Sequence, residues 1–228
     1  CPTVINNVET ISHLPKIIEK GSQWFADLGF ERSGGTRLFA LSGCVNKPGV
    51  YELPSGTPFR ELIYDHGGGI LDGKELKAII PGGTSAAVLS ADQVDLPMDF
   101  DALAKVDSMA GSGAVIIMDE DVCMVKALHN IEDFFAHESC GQCTPCREGT
   151  SWVYRILSRI VEGRGKPSDV ETLRGLSQNM SGTSICALCE GASMALRSFL
   201  EKFGDEFDYY AKYGRSYVED TKKGAVVA

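Results

Sequence analysis

The residues best suited to chemistry are Cys140, Cys143 and Cys146, in the run Cys140-Gly-Gln-Cys143-Thr-Pro-Cys146. Three thiolates at C-x₂-C-x₂-C spacing on a compact turn can each hold one iron of a cuboidal [4Fe–4S] cluster. The fourth iron then needs a ligand from elsewhere in the chain. Gly141 allows close approach of the backbone to such a cluster. Pro145 stiffens the turn and opens a helix. The unpaired N–H groups and dipole of that helix start favour the negative charge of a thiolate-bound cluster. Arg147 adds a positive charge beside the third thiolate. On spacing alone, the fourth ligand is Cys186 or Cys189. Two predicted helices lie between Cys146 and that pair, so the chain can run out and return. The rival is zinc: Cys143 and Cys146 with Cys186 and Cys189 make two C-x₂-C pairs, which suit a tetrahedral Cys₄ site but leave Cys140 unused.

Composition narrows the field further. Eight cysteines stand in 228 residues, and five of them fall between 140 and 189. A disulfide scaffold spreads its cysteines over a short secreted chain. Here they cluster, and no charged-then-apolar leader opens the sequence, so metal or cluster ligation is the expected use. A net charge of −9 argues against nucleic acid or an anionic membrane surface as partner. The longest apolar run, Ala114 to Met118, is far too short to span a bilayer. The first residue is Cys1 and not Met, which fits a piece of a longer chain. Cys44 and Cys123 stand alone and read as small buried hydrophobes. The histidines at 13, 66, 129 and 137 form no i, i+4 ligand pair. Only His137 is near the cysteine turn, and it reads as a solvated residue. Gly67 to Gly69 and Gly82-Gly83 match no phosphate-loop or dinucleotide fingerprint and read as turns.

The elements that must position these residues follow from periodicity. Val8 to Gly29 is helical in character, with Pro15 expected to start a turn and not interrupt one. Ser33-Gly34-Gly35 reads as a linker. Arg37–Leu41 and Val50–Leu53 are strands around the turn Asn46-Lys47-Pro48-Gly49, which makes a hairpin. A helix capped by Thr57 should follow, ending at Gly67, with Leu76–Ile80 as a further strand. Hairpin, helix and strand in that order predict a β-grasp (ubiquitin-like) domain. Ser90 to Lys105 is acidic and irregular. Ala114 to Met118 is a buried strand, and Asp119 to Phe135 is expected to be a helix with acidic residues in its first turn. After the cysteine turn come three expected helices: Val153, Leu157, Ile160 and Val161 on one stripe; a capping box at Ser168 and Glu171; and a last helix with Leu196, Phe199, Leu200 and Phe203. They form a small bundle. The tail from Arg215 has little to bury and is expected to be disordered or to lie on a partner.

At the cysteine tract the chain resembles a known family. Glu138-Ser-Cys-Gly-Gln-Cys-Thr-Pro-Cys-Arg-Glu-Gly149 is similar to the cluster signature of the NADH-oxidising flavoprotein subunit of respiratory complex I. Related subunits of NAD-dependent formate dehydrogenases and hydrogenases share it. Gly113 to Met124, Ile185 to Ala192, Arg37 to Gly69 and Pro2 to Thr10 resemble further parts of that subunit. The resemblance implies an α+β chain: the tail of a flavin-binding domain over 1–34, a soluble-ligand-binding β-grasp domain over 35–112, a [4Fe–4S] helical domain over 113–207, and a tail over 208–228. It implies cluster ligands at Cys140, Cys143, Cys146 and Cys186, with Cys189 an additional thiol where the family usually has none. It implies FMN contacts at Asn6, Asn7 and Thr10, while the glycine-rich NADH and FMN loops would lie upstream, in a half this sequence lacks.

The implied activity is electron transfer within an NADH dehydrogenase, from NADH through FMN to this cluster and on to partner clusters. Implied partners are the flavin half, a [2Fe–2S] thioredoxin-like subunit and a multi-cluster subunit. The implied location is cytoplasmic, or peripheral at the cytoplasmic face of the inner membrane. Two other function classes stand beside this one: a zinc-stapled interaction module without redox activity, and a ligand-binding β-grasp module with a structural cluster.

Overall fold

The structure, a computed structural model, describes residues 1–30 and 32–224. Strand β1 (Thr36–Gly43) returns as β2 (Gly49–Pro54) in an antiparallel hairpin with Phe39 opposite Tyr51. Strands β3 (Leu76–Ile80), β4 (Leu89–Ser90) and β5 (Ala114–Asp119) complete a sheet of order β2-β1-β5-β3-β4. β5 lies at its centre, parallel to β1 and antiparallel to β3. The strand foreseen at 114–118 therefore belongs to the grasp sheet, just beyond the boundary expected at 112.

The two-residue period of the strands divides the core. Ile79, Val115 and Ile117 face one side with Phe39 and Leu41, closed by Phe59, Leu62, Ile63, Met98 and Leu103. Ala78, Ile80 and Met118 face the other side and join the helical core of Val125, Leu128, Val153, Leu157, Leu173, Leu196 and Phe199. The sheet is thus the roof of the bundle, and the two regions share one continuous packing.

Several expected elements take other forms. The helix after Thr57 is a wide π-helical segment, Glu61–His66. The N–H groups of Phe59 and Arg60 pair instead with Leu96 O and Val94 O, and the Thr57 hydroxyl donates to Pro54 O, so no cap forms. The first helical stretch splits at Gly21, whose φ is +91°, into α1 (Val8–Lys20) and α2 (Ser22–Asp27). Pro15 lies inside α1. It removes one i→i−4 bond, while the Asn7 side chain, accepting from Thr10 N–H at 3.2 Å, secures the helix start. Within the acidic 90–105 stretch a short helix, α3 (Phe100–Ala104), is capped by Asp99.

The helix expected from Asp119 begins only at Met124, as α4 (Met124–Glu138), with no acidic residue in its first turn. Asp119 ends the strand instead, and its carboxylate accepts from Asp121 N–H at 3.0 Å. α4 is followed by α5 (Thr144–Val161), α6 (Pro167–Met180), α7 (Leu188–Lys202) and α8 (Gly204–Tyr213), so the bundle is larger than three helices. The box on α6 is set two residues early: Asp169 accepts from Lys166 N–H at 2.8 Å, leaving Ser168 and Glu171 within the first turns. The tail folds back as α9 (Tyr217–Lys222). Its Asp220 is buried, accepting from Tyr209 at 2.9 Å and pairing with Arg215 at 2.6 Å. Residues 225–228 of that tail lie outside the described residues. Among the described residues, no helix is long and apolar enough to cross a membrane.

Candidate metal centre

The cysteine turn joins α4 to α5. α4 ends at Glu138, and Cys143 is the N-cap of α5, with Pro145 in the first helical turn. No side chain caps this start, so its N–H groups remain available. Gly141 has a φ of +79°, the left-handed region that suits glycine and lets the turn fold tightly. Arg147 reaches back along the turn, its Nη1 donating to Gly141 O at 2.9 Å. The positive charge is therefore held on the turn itself. One turn further on, α6 crosses so closely that a side chain at Gly149 would meet Met180 at 2.7 Å.

That crossing brings in the second cysteine segment. From Met180, at the end of α6, the chain passes through 181–187 into α7. Glu190 of α7 accepts from Ser181 Oγ at 2.9 Å and from Gly182 N–H at 2.8 Å, which pins this loop. Ile185 N–H donates to Cys143 Sγ at 3.4 Å. Ser139 Oγ stands 3.2 Å from Cys146 Sγ. The structure thus brings the 183–189 segment onto the C-x₂-C-x₂-C turn, as the sequence requires of a shared site.

The cysteines differ in burial. Cys140 and Cys186 are exposed, Cys143 is half-buried and Cys146 is buried. Cys189 is wholly buried, donating to Met180 O at 3.5 Å. Burial pushes its thiol up to about 11, and the Cys146 thiol beside it acts in the same direction. Among the described residues, no three His, Cys, Asp or Glu side chains close on a point that would hold a single ion. A cuboidal cluster does not ask for that, because it spreads its thiolates over four separate irons. The donor set fits such a cluster: three thiols on one tight turn, a second sulfur-bearing loop against it, a backbone N–H donating to one of the turn's sulfurs and a hydroxyl within hydrogen-bond distance of another. His137 is exposed in the last turn of α4. Cys123 is buried and Cys44 half-buried, away from the turn in sequence and element, as small hydrophobes would be.

The residues expected at a flavin are only partly gathered. Asn7 and Thr10 line a cleft of about 530 Å³ between α1 and the sheet, and Asn6 does not. The Asn7 side chain is already engaged in capping α1. Reading the sequence missed Arg37 in this cleft. Its Nη2 donates to Gly111 O at 3.1 Å, while Nη1 is buried without an acceptor. Ser139 and the Ile185 N–H were also missed. Ser139 is adjacent to Cys140 and could have been found, but nothing in a sequence marks a backbone donor.

The profile of the NADH-ubiquinone oxidoreductase-F iron-sulfur binding region matches residues 126–210. The SLBB domain profile matches residues 38–89. The NADH-quinone oxidoreductase F subunit 2 of Rhizobium meliloti (strain 1021) is 50% identical over 206 residues, covering 90% of this chain and 49% of that protein. The NADH-quinone oxidoreductase F subunit of Mycobacterium bovis is 45% identical over 207 residues, covering 91% and 46%. The chain thus spans about half the length of the curated relatives it matches. A crystal structure of an NAD⁺-reducing [NiFe]-hydrogenase in the H₂-reduced state superposes with a TM-score of 0.82 at 31% identity, covering 92% of this chain and 35% of that one. Residues 38–89 are thus similar to the SLBB domain, and residues 126–210 to the iron–sulfur binding region of the NADH-ubiquinone oxidoreductase F subunits.

Proposed function

We propose that the chain is the iron–sulfur electron-transfer part of an NADH dehydrogenase flavoprotein subunit, holding one [4Fe–4S] cluster through Cys140, Cys143, Cys146 and Cys186. The observation that carries this reading is the Ile185 N–H to Cys143 Sγ contact, which lays the second cysteine segment on the first inside the matched iron–sulfur region. When bound, the cluster accepts and releases one electron at a time.

The remaining work falls to the protein's own residues. The thiols of the turn lose their protons to become ligands. Ser139, the Ile185 N–H and the open start of α5 direct positive dipole at the sulfurs, which favours the more negative, reduced state. Cys146, deep in the bundle, excludes water from one side, while exposed Cys140, Cys186 and Ile185 leave the other side at the surface, where electrons can pass.

The donor in this reading is FMN, reduced by NADH, in the half of the subunit absent from this chain. The acceptors are clusters of partner subunits, a [2Fe–2S] thioredoxin-like one and a multi-cluster one, in a peripheral assembly at the cytoplasmic face of the inner membrane. The apolar side chains of α1 and the segment before it support an abutting flavin half. Val4, Ile5, Val8 and Ile18 are each at least 83% exposed, more apolar surface than a free helix ordinarily presents. Asn7 and Thr10, on the same segment, line the cleft between α1 and the sheet. Zinc is the weaker reading, because the matched family is named for iron–sulfur binding and a zinc site would leave Cys140 without a role.

Anaerobic purification with iron and sulfide analysis tests the reading. The wild-type chain should carry about four irons and four sulfides, and single Cys→Ala changes at 140, 143, 146 and 186 should each lose most of them. Full iron content in Cys140→Ala together with Cys186→Ala, or stoichiometric zinc in the wild type, contradicts it.

A further inference from the structure

The glycine turn at 82–83, which carries no phosphate fingerprint, leads to a close contact with α7. Gly83 N–H donates to Ala114 O of β5 at 2.7 Å, and Gly82 O accepts from Ser112 N–H at 3.1 Å, so both glycines are tied to the sheet. The segment that leaves the turn runs along α7, with Ala86 and Val88 in the bundle core. A Cβ on Gly191 would stand 2.9 Å from both Cβ and Oγ of Ser85. Two turns further along the helix, Ser198 Oγ accepts from Val88 N–H at 3.0 Å. Positions 191, 195 and 198 share one helix face, and Ala195 is wholly buried. Small residues there let the segment lie tight against α7. The residue before Gly191 is Glu190, whose carboxylate accepts from Ser181 Oγ at 2.9 Å and from Gly182 N–H at 2.8 Å. Those bonds hold the entry to the loop that carries Cys186 and that lays the Ile185 N–H on Cys143 Sγ.

We propose that Ser85 is a positioning residue for the cluster: seated on Gly191, it fixes the start of α7 and, through Glu190, the loop that presents Cys186. This inference rests on the ligand set proposed above. It gives the grasp sheet a part in the electron-transfer site, as a buttress for the second cysteine segment. A close-packed interior does not yield smoothly to added volume. A Cβ at 191 must therefore displace either the 82–85 turn or the start of α7. The turn is tied to the sheet at both glycines, whereas the first turn of α7 has no side-chain cap. The helix start is the part that gives way, and it carries Glu190 with it.

The test uses the full chain, purified anaerobically with its cluster, as wild type, Gly191→Ala, Ser85→Gly and the exchange variant that combines the two changes. The low-temperature electron paramagnetic resonance spectrum of the reduced protein and the rate of iron release to a ferrous chelator are read beside thermal unfolding. Gly191→Ala should alter the spectrum and release iron about tenfold faster, the scale an overpacked contact allows. Ser85→Gly removes the seat and should move both readouts in the same direction by less. The exchange variant deletes the Ser85 atoms that the new Cβ would meet, and should return both readouts toward wild type. Lower unfolding midpoints with an unmoved spectrum and unmoved iron release make the contact a structural one only, which overturns the inference and leaves the ligand set standing. An exchange variant as altered as Gly191→Ala also overturns it. If Gly191→Ala does not fold, Ser85→Gly and the exchange variant decide by the same two readouts: an unmoved Ser85→Gly, or an exchange variant more altered than Ser85→Gly, overturns the inference. Stoichiometric zinc in the wild type overturns both the inference and the reading beneath it.

Discussion

At the scale of single residues, the centre is a set of sulfurs graded from surface to core, with donors placed against them. The least expected residue elsewhere is Glu132. It lies on the buried face of α4, and neither carboxylate oxygen has a hydrogen-bond partner. Burial holds its carboxyl well above the ordinary carboxylate range, so the folded chain keeps a proton there that the unfolded chain releases. The folded state therefore binds more protons above the unfolded value of 4.5. Stability is full below that pH and declines as pH rises from it through the raised folded value, by at most about 1.4 kcal/mol per pH unit. Glu132→Gln cannot ionise and should lose this decline, gaining over wild type at about pH 7 while matching it near about pH 4. Urea midpoints of both proteins across that window check it. Parallel profiles would show that Glu132 ionises freely in the fold.

At the scale of elements, the joint between sheet and bundle decides whether the cysteine turn is held still. Lys77 of β3 pairs with Glu206 of α8 at 2.5 Å, and its Nζ also donates to Val122 O at 2.7 Å. The other Glu206 oxygen accepts from Met124 N–H at 3.1 Å, at the open start of α4. One largely buried carboxylate thus satisfies a cation on the sheet and the first donor of the helix that leads to the site. Glu206→Ala strips both and should cost about 2–4 kcal/mol. Lys77→Met combined with Glu206→Leu should cost less than either single change, because no charge is left stranded. Denaturant unfolding of Glu206→Ala, the double variant and its two single changes measures both claims.

Much at this level was legible in the sequence. The hairpin, the β3 and β5 strands, and the helices after the cysteine turn follow from short strand-forming runs bounded by turn residues or from apolar stripes such as Val153, Leu157 and Ile160. What was not legible depends on long-range partners. The π-helical form of 61–66 is set by backbone pairing of Phe59 and Arg60 with 94–96, and the late start of α4 by Glu206, some eighty residues away in sequence. The α9 tail forms because Asp220 finds Tyr209 and Arg215, which no local pattern announces. The triple Cys140, Cys143, Cys146 declared itself by spacing. The choice between Cys186 and Cys189 was not legible, since both stand in one C-x₂-C pair; the structure separates them by burial.

At the scale of the whole molecule, the sheet and the bundle pack as one body. The α1 region exposes an apolar helix surface beside a cleft holding an unsatisfied guanidinium nitrogen of Arg37. The cysteine loops gather sulfur from two stretches forty residues apart in the chain, beside an isoleucine that is 87% exposed. The account depends on those two stretches sharing one inorganic core. Native mass spectrometry of the anaerobically purified chain tests this most directly. The predicted spectrum shows one dominant species heavier than the polypeptide by about four irons and four sulfides. A species carrying a single zinc, or a chain with no added mass but full folding, would contradict it.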